Sequence, residues 1–193
     1  MRRTLVLGLG LSIVIASAMP ARALTTVSIV DFAFSPTAVT VAQGEDVAWH
    51  NGGSFSHTST QDGQLALWNT GTLVAGATSG SVTLRAAGTY RYHCAIHVTM
   101  TGKVRVPIRI SPSSGSTATT FTITLASATQ TGFVYDIQRK VGKGAWRTWK
   151  TGLTTRQVSF SGPTGSYRFR SRLRRMSNGG ASKWSPAKAI SIG

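Results

Sequence analysis

The residues best equipped for chemistry sit together in Tyr92-His93-Cys94-Ala95-Ile96-His97-Val98-Thr99-Met100, where the chain's single cysteine, an imidazole and a thioether follow one another with two residues between each. With His57 supplied from an earlier segment, the set becomes His₂Cys plus Met. A trigonal N₂S plane with a weak axial thioether suits a copper ion that cycles between Cu(I) and Cu(II) in electron transfer. No other ligand combination in the sequence comes close. Since the protein fills every position, nothing is left open for substrate, and the reading is of a carrier or binder, not an enzyme.

Such a site needs a strand that ends at Cys94 and a tight loop that turns His97 and Met100 back to the same point. His93 is Cys94's neighbour on that strand, so it faces the opposite side. His50, beside Trp49, reads as structural or exposed. Short runs rich in β-branched residues recur at 39–41, 47–49, 81–84 and 89–94, alternating apolar with small polar residues, as half-buried strands do. Gly52-Gly53, Asp62-Gly63, Gly71, Gly76 and Gly88 punctuate them, and helical periodicity is absent. An all-β, antiparallel sandwich is expected.

In its order of motifs the chain resembles the small blue-copper proteins, the cupredoxins of the plastocyanin, pseudoazurin and amicyanin kind. The resemblance rests on Val27-Ser28-Ile29-Val30-Asp31-Phe32-Ala33-Phe34-Ser35-Pro36, Val39-Thr40-Val41, Gly44-Glu45-Asp46-Val47-Ala48-Trp49-His50-Asn51, His57-Thr58, the Cys94 loop and Gly102-Lys103-Val104-Arg105-Val106, over roughly residues 25–108. It implies a Greek-key β-sandwich with His57, Cys94, His97 and Met100 as ligands of one copper ion. Thr58 falls where the family often has a small polar residue. One-electron exchange with redox partner proteins is the function it implies; copper delivery in the cell envelope without a redox role is the alternative. A multicopper oxidase is disfavoured, because Ala95 replaces the second histidine of a His-Cys-His bridge and four histidines in total cannot build a trinuclear cluster.

Arg2 and Arg3 precede an apolar run over residues 5–18, and Ala21-Arg22-Ala23 offers a small-x-small cleavage site. This is the pattern of a signal peptide, residues 1–23, and it predicts export to the periplasm, the cell envelope or the exterior. The run is too short for a membrane span of about 20 residues.

Charge divides the remainder of the chain in two. Residues 24–110 hold five Lys/Arg against four acids, whereas residues 111–193 hold thirteen against Asp136 alone. Ser111-Pro112-Ser113-Ser114-Gly115-Ser116 at the boundary has turn or linker composition. Strand-like runs at 121–125, 133–139, 146–150, 157–160, 167–173 and 187–192 predict a second sandwich. It resembles a fibronectin type III or related immunoglobulin-like module through Val134-Tyr135-Asp136-Ile137-Gln138-Arg139, Tyr167-Arg168-Phe169-Arg170 and Gly180-Ala181-Ser182-Lys183-Trp184-Ser185-Pro186. At strand period, Arg168, Arg170, Arg172 and Arg174 share one face. Two readings stay open for this ladder: stacking on Trp146, Trp149 or Trp184, similar to the tryptophan-arginine ladder of receptor type III modules, or docking to an anionic envelope polymer, acidic protein or lipid surface. An exported protein rarely meets nucleic acid, which is disfavoured as partner.

Overall fold

The computed structural model describes residues 22–193. The paired arginines and apolar run behind the export reading lie outside the described residues. Sixteen strands and no helix make up the described chain. The first eight are β1 (Leu24–Val30), β2 (Ala33–Ser35), β3 (Ala38–Thr40), β4 (Asp46–Asn51), β5 (Thr60–Gln61), β6 (Val82–Thr83), β7 (Gly88–His93) and β8 (Thr101–Val106). The next eight are β9 (Arg109–Ser111), β10 (Ser114–Gly115), β11 (Phe121–Thr124), β12 (Phe133–Val141), β13 (Arg147–Leu153), β14 (Gln157–Phe160), β15 (Gly165–Arg175) and β16 (Lys188–Ile192).

β1 to β8 form two four-stranded sheets, β2-β1-β4-β6 and β3-β8-β7-β5. Side chains alternate in and out of the space between them. Val27 and Ile29 of β1, Val47 and Trp49 of β4, and Tyr90 and Tyr92 of β7 are buried, as are Val104 and Val106 of β8. The rings of Trp49, Trp68 and Tyr92 gather in this core, with Trp49 stacked on Trp68 at 5.3 Å. Gly102, opposite Tyr92 in the β7–β8 pair, has no Cβ for a reason: one would overlap the Tyr92 ring.

The pairing is not wholly antiparallel as expected. β1 runs parallel to β4 and β3 parallel to β8. After the β1–β2 hairpin the chain crosses to the other sheet for β3 and returns for β4, so β1 and β4 are joined by a crossover, as a parallel pair must be.

The second sandwich sets a three-stranded sheet, β14-β11-β9, against a five-stranded one, β10-β16-β15-β12-β13. Phe121, Ile123, Tyr135, Ile137, Phe160, Phe169 and Ile190 fill it. The stretch Ser111 to Ser116, whose composition suggested a turn or linker, makes the turn between β9 and β10 within this sandwich. β9 straddles the 110/111 boundary and pairs with β11, and β10 pairs with β16. Serine and glycine there carry the chain from one sheet to the other, a task with the same composition as a linker.

The two sandwiches meet through backbone as well as side chains. Thr89 of β7 exchanges both amide hydrogen bonds with Lys183, at 2.9 and 3.0 Å, and the Ala87 amide donates to Leu125. The Arg175 guanidinium donates to the carbonyls of Leu65 and Ala66, and Asn178 donates to that of Gln64. Gly180 lies so close to Gln64 that a Cβ would overlap its backbone. Buried apolar side chains run from one sandwich into the other as a single cluster.

Candidate metal centre

β7 alternates buried Tyr90 and Tyr92 with outward Thr89, Arg91 and His93, so Cys94, the next residue, must face the interior, and it is fully buried. His93 faces out, its Nδ1 at 2.6 Å from the Asp62 carboxylate. His50 turns to Thr78 instead, with its Nδ1 at 2.9 Å from the hydroxyl. The loop from Cys94 to Met100 spans the gap between His93 and Thr101, which are paired across β7 and β8. Two hydrogen bonds clip it: the Cys94 amide donates to the Met100 carbonyl at 3.1 Å, and the Met100 amide donates to the His97 carbonyl at 2.9 Å. His97 is thereby turned inward and stays half-buried, while Met100 is buried.

His57 arrives from the other side. It exchanges backbone hydrogen bonds with Leu73, and buried Asn51 braces the segment by donating to the carbonyls of Phe55 and Leu73. Cys94 Sγ then lies 3.8 Å from His57 Nδ1 and 3.8 Å from His97 Nδ1, and the two nitrogens are 3.1 Å apart. Among the described residues this is the one cluster of three His, Cys, Asp or Glu ligands close enough to share a metal.

The triangle fits a small metal ion. Metal–nitrogen and metal–thiolate bonds of about 2.0 and 2.3 Å, borrowed from zinc, in a planar three-coordinate site require S–N edges of about 3.7 Å and an N–N edge of about 3.5 Å. The observed edges lie close to these. The Thr58 amide donates to Cys94 Sγ at 3.3 Å, which fixes where the sulfur points. The Thr58 hydroxyl accepts from the Ala95 amide at 2.7 Å, which holds the start of the loop. Burial, together with nearby His97, keeps His57 below the ordinary histidine range against the pull of Asp31, so the imidazole is held neutral and ready to ligate.

Two neighbours were not singled out from sequence. Phe32 sits at the β1–β2 turn with φ of 62°, a conformation rare for a bulky residue, and its ring meets that of His97 edge-on at 5.0 Å. Asp31 places a carboxylate oxygen 3.8 Å from His57 Nε2. Strand alternation would put Phe32 on the same face as buried Phe34; the left-handed turn at Phe32 breaks that parity and leaves its ring exposed, so the sequence pattern gave no signal for either residue.

The arginine ladder of β15 lies on the outer face of the second sandwich, and most of it is engaged there. Arg172 and Arg174 both bind the carboxylate of Asp136, which is almost wholly buried beneath them and also accepts from the Gly152 amide. Burial would raise the Asp136 pKa, but these hydrogen bonds and charges outweigh it and hold the group below the usual range. Arg170 donates to Gln138 and lies 4.2 Å over the Trp146 ring; Arg172 lies 4.8 Å over Trp184. Trp149 plays no part in the ladder, contrary to the expectation that it would stack there. It packs on the inner face against Phe160 and Phe169 and takes Arg139 and Lys150. Arg168 alone of the four is exposed.

Comparison with known proteins agrees with the geometry of the first sandwich. Residues 21–107 match the family model described as copper binding proteins, plastocyanin/azurin family. Similar solved structures include a novel purple cupredoxin from Nitrosopumilus maritimus, 22% identical over 42% of this chain and 98% of that one, with a TM-score of 0.40. An amicyanin variant in its reduced Cu(I) form at pH 4 is 28% identical over 45% of this chain and 84% of its own, with a TM-score of 0.41. A copper-containing nitrite reductase from Thermus scotoductus SA-01 is 26% identical over 47% of this chain and 24% of its own, with a TM-score of 0.40. No curated protein matches the chain. Residues 21–107 thus carry the pattern of the plastocyanin/azurin family of copper-binding proteins, and the metal taken by their His-Cys-His cluster is one copper ion.

Proposed function

We propose that the chain is an exported blue-copper protein that carries single electrons, and that His57, Cys94, His97 and Met100 would hold its copper. The convergence of Cys94 Sγ with two Nδ1 atoms in a buried triangle carries this reading. Copper in such a site supplies a Cu(I)/Cu(II) couple. The protein's part is to keep the ligands still: the two loop clips and the Thr58 contacts fix Cys94 and His97, which would limit rearrangement on electron transfer. His97 is the ligand nearest solvent, and exposed Phe32, Phe55, Ile96 and Val98 give this end an apolar surface on which a redox partner protein can settle. Four protein ligands leave no open position for a substrate, which is why we read a carrier and not an enzyme. Export rests on Arg2, Arg3 and the apolar run behind them.

For the second sandwich, from about residue 109, we propose a fibronectin type III-like module. The support is its pairing order, three strands against a larger sheet in which β13, β12, β15 and β16 are neighbours.

Adding Cu(II) to purified protein tests the copper reading. One equivalent is expected to give an intense thiolate-to-copper absorption, and Cys94→Ser to abolish it. A protein that stays colourless, or a Cys94→Ser variant that keeps the band, overturns it. Ready metal exchange with a colourless Cu(I) form that resists oxidation supports copper delivery instead.

A further inference from the structure

The basic charge of the second sandwich is not spread evenly over it. Its one acid, Asp136, is buried beneath Arg172 and Arg174. At the other end of the same strands, where β12 turns into β13, cations face one another with no acid among them. Lys140 is paired directly with Arg168, and Arg139 with Arg147. Lys143 stands exposed in the turn between. Like charges directly opposite in a sheet are destabilising, so these pairs, one on each face of the hairpin, are what an anion bound at its tip would relieve.

The position of this hairpin is informative as well. Contacts with the copper-binding sandwich are made at the Arg175 end of β15, whereas Val141 at the hairpin pairs with Tyr167 near its start. Eight residues of strand separate them, about 27 Å at ~3.4 Å per residue. The hairpin is the pole remote from copper. It is also partly apolar: Val141 is 49% exposed, and Trp146 is half-buried, with Arg170 against its ring.

We propose that the β12–β13 hairpin docks the protein on an anionic lipid surface. A projecting tip with cations around an exposed aliphatic side chain and an interfacial tryptophan fits a flat bilayer face, where Lys and Arg meet headgroup phosphates and Val141 and Trp146 meet the boundary of the acyl region. A polyanionic chain calls for a groove of free cations, and the neighbouring ladder face is instead filled by Arg170, Arg172 and Arg174 with their own partners. The ladder is a brace, and the docking charge is Lys140, Lys143, Arg147 and Arg168.

The test is flotation of the full chain with vesicles of phosphatidylcholine alone or with roughly one-third phosphatidylglycerol, at about 0.05 and about 0.5 M salt. Binding is expected only to the anionic vesicles and only at low salt. Changing Lys140, Lys143, Arg147 and Arg168 together to Gln is expected to weaken it about six hundredfold, at about fivefold per basic residue. Lys143→Gln alone lies in an open turn that cannot disturb the sandwich, and is expected to lose about fivefold. A control with the same charge change in the first sandwich, Arg85, Arg91, Lys103 and Arg105 to Gln, is expected to bind nearly as the parent. Equal loss in the control, or unaltered binding by the hairpin variants, overturns the assignment. Val141→Ser separates lipid from polymer: weaker vesicle binding supports a bilayer. Unchanged vesicle binding, with hairpin-dependent binding to soluble polyphosphate of equal strength, overturns the lipid and favours a polyanion.

Discussion

Under the proposed ligation, Met100 and His57 would offer a metal different things. A thioether on the axis binds weakly and chiefly adjusts the potential, whereas an imidazole in the plane helps define the site. Met100→Leu is therefore expected to keep copper and its colour with a shifted potential, and His57→Ala to lose the absorption or most of the affinity. Voltammetry and metal titration of both variants check this; equal copper loss would remove Met100 from the axial role. At this scale much was legible in the sequence, because C-x-x-H keeps Cys94 and His97 within four residues and strand parity separates Cys94 from His93. Phe32 and Asp31 were not legible: they lie more than twenty residues before His57, and only the turn after β1 brings them to it.

At the scale of elements, β15 shows how a pattern can be read correctly and its purpose left open. Alternation placed four arginines on one face, but whether they were free depended on β12, a strand some thirty residues earlier, whose register puts Asp136 opposite Arg172 and Gln138 opposite Arg170. Separation in sequence also hid the three pairings that run parallel, β1–β4, β3–β8 and β10–β16. Asp136→Asn should show what the brace contributes. Removing one partner of a buried ion pair costs about 3–5 kcal/mol; Arg172 and Arg174 keep 35% and 30% of their side-chain exposure, so about 2 kcal/mol is expected by denaturant unfolding. The pH dependence has a definite sign. The Asp136 pKa is depressed in the folded protein, so its contribution is present above the ordinary value of 3.8 and is lost as pH falls through the lower folded value. The Asn variant should lack that acid-dependent loss.

For the whole molecule, the junction decides how the halves behave. Hydrogen bonds from Thr89, Ala87, Arg175 and Asn178 cross it, and apolar packing is continuous through it. Differential scanning calorimetry of the full chain is expected to show one transition, not two, and that transition should move upward as a whole when copper is added. Two separate peaks, with only one responding to copper, would show the sandwiches to be energetically independent. A composition break at residue 110 suggested two domains; charge says nothing about how their backbones are joined.

The junction also makes metal supply a variable of the distant hairpin's persistence. A ligand held by the folded state alone stabilises it by about 2.7 kcal/mol at a hundred times its dissociation constant. Because β7 runs from its bridge with Lys183 up to Cys94, that linkage reaches residues with no part in ligation. In a copper-poor setting the basic end would open, and meet proteases, more often than in a replete one, although no ligand lies within it.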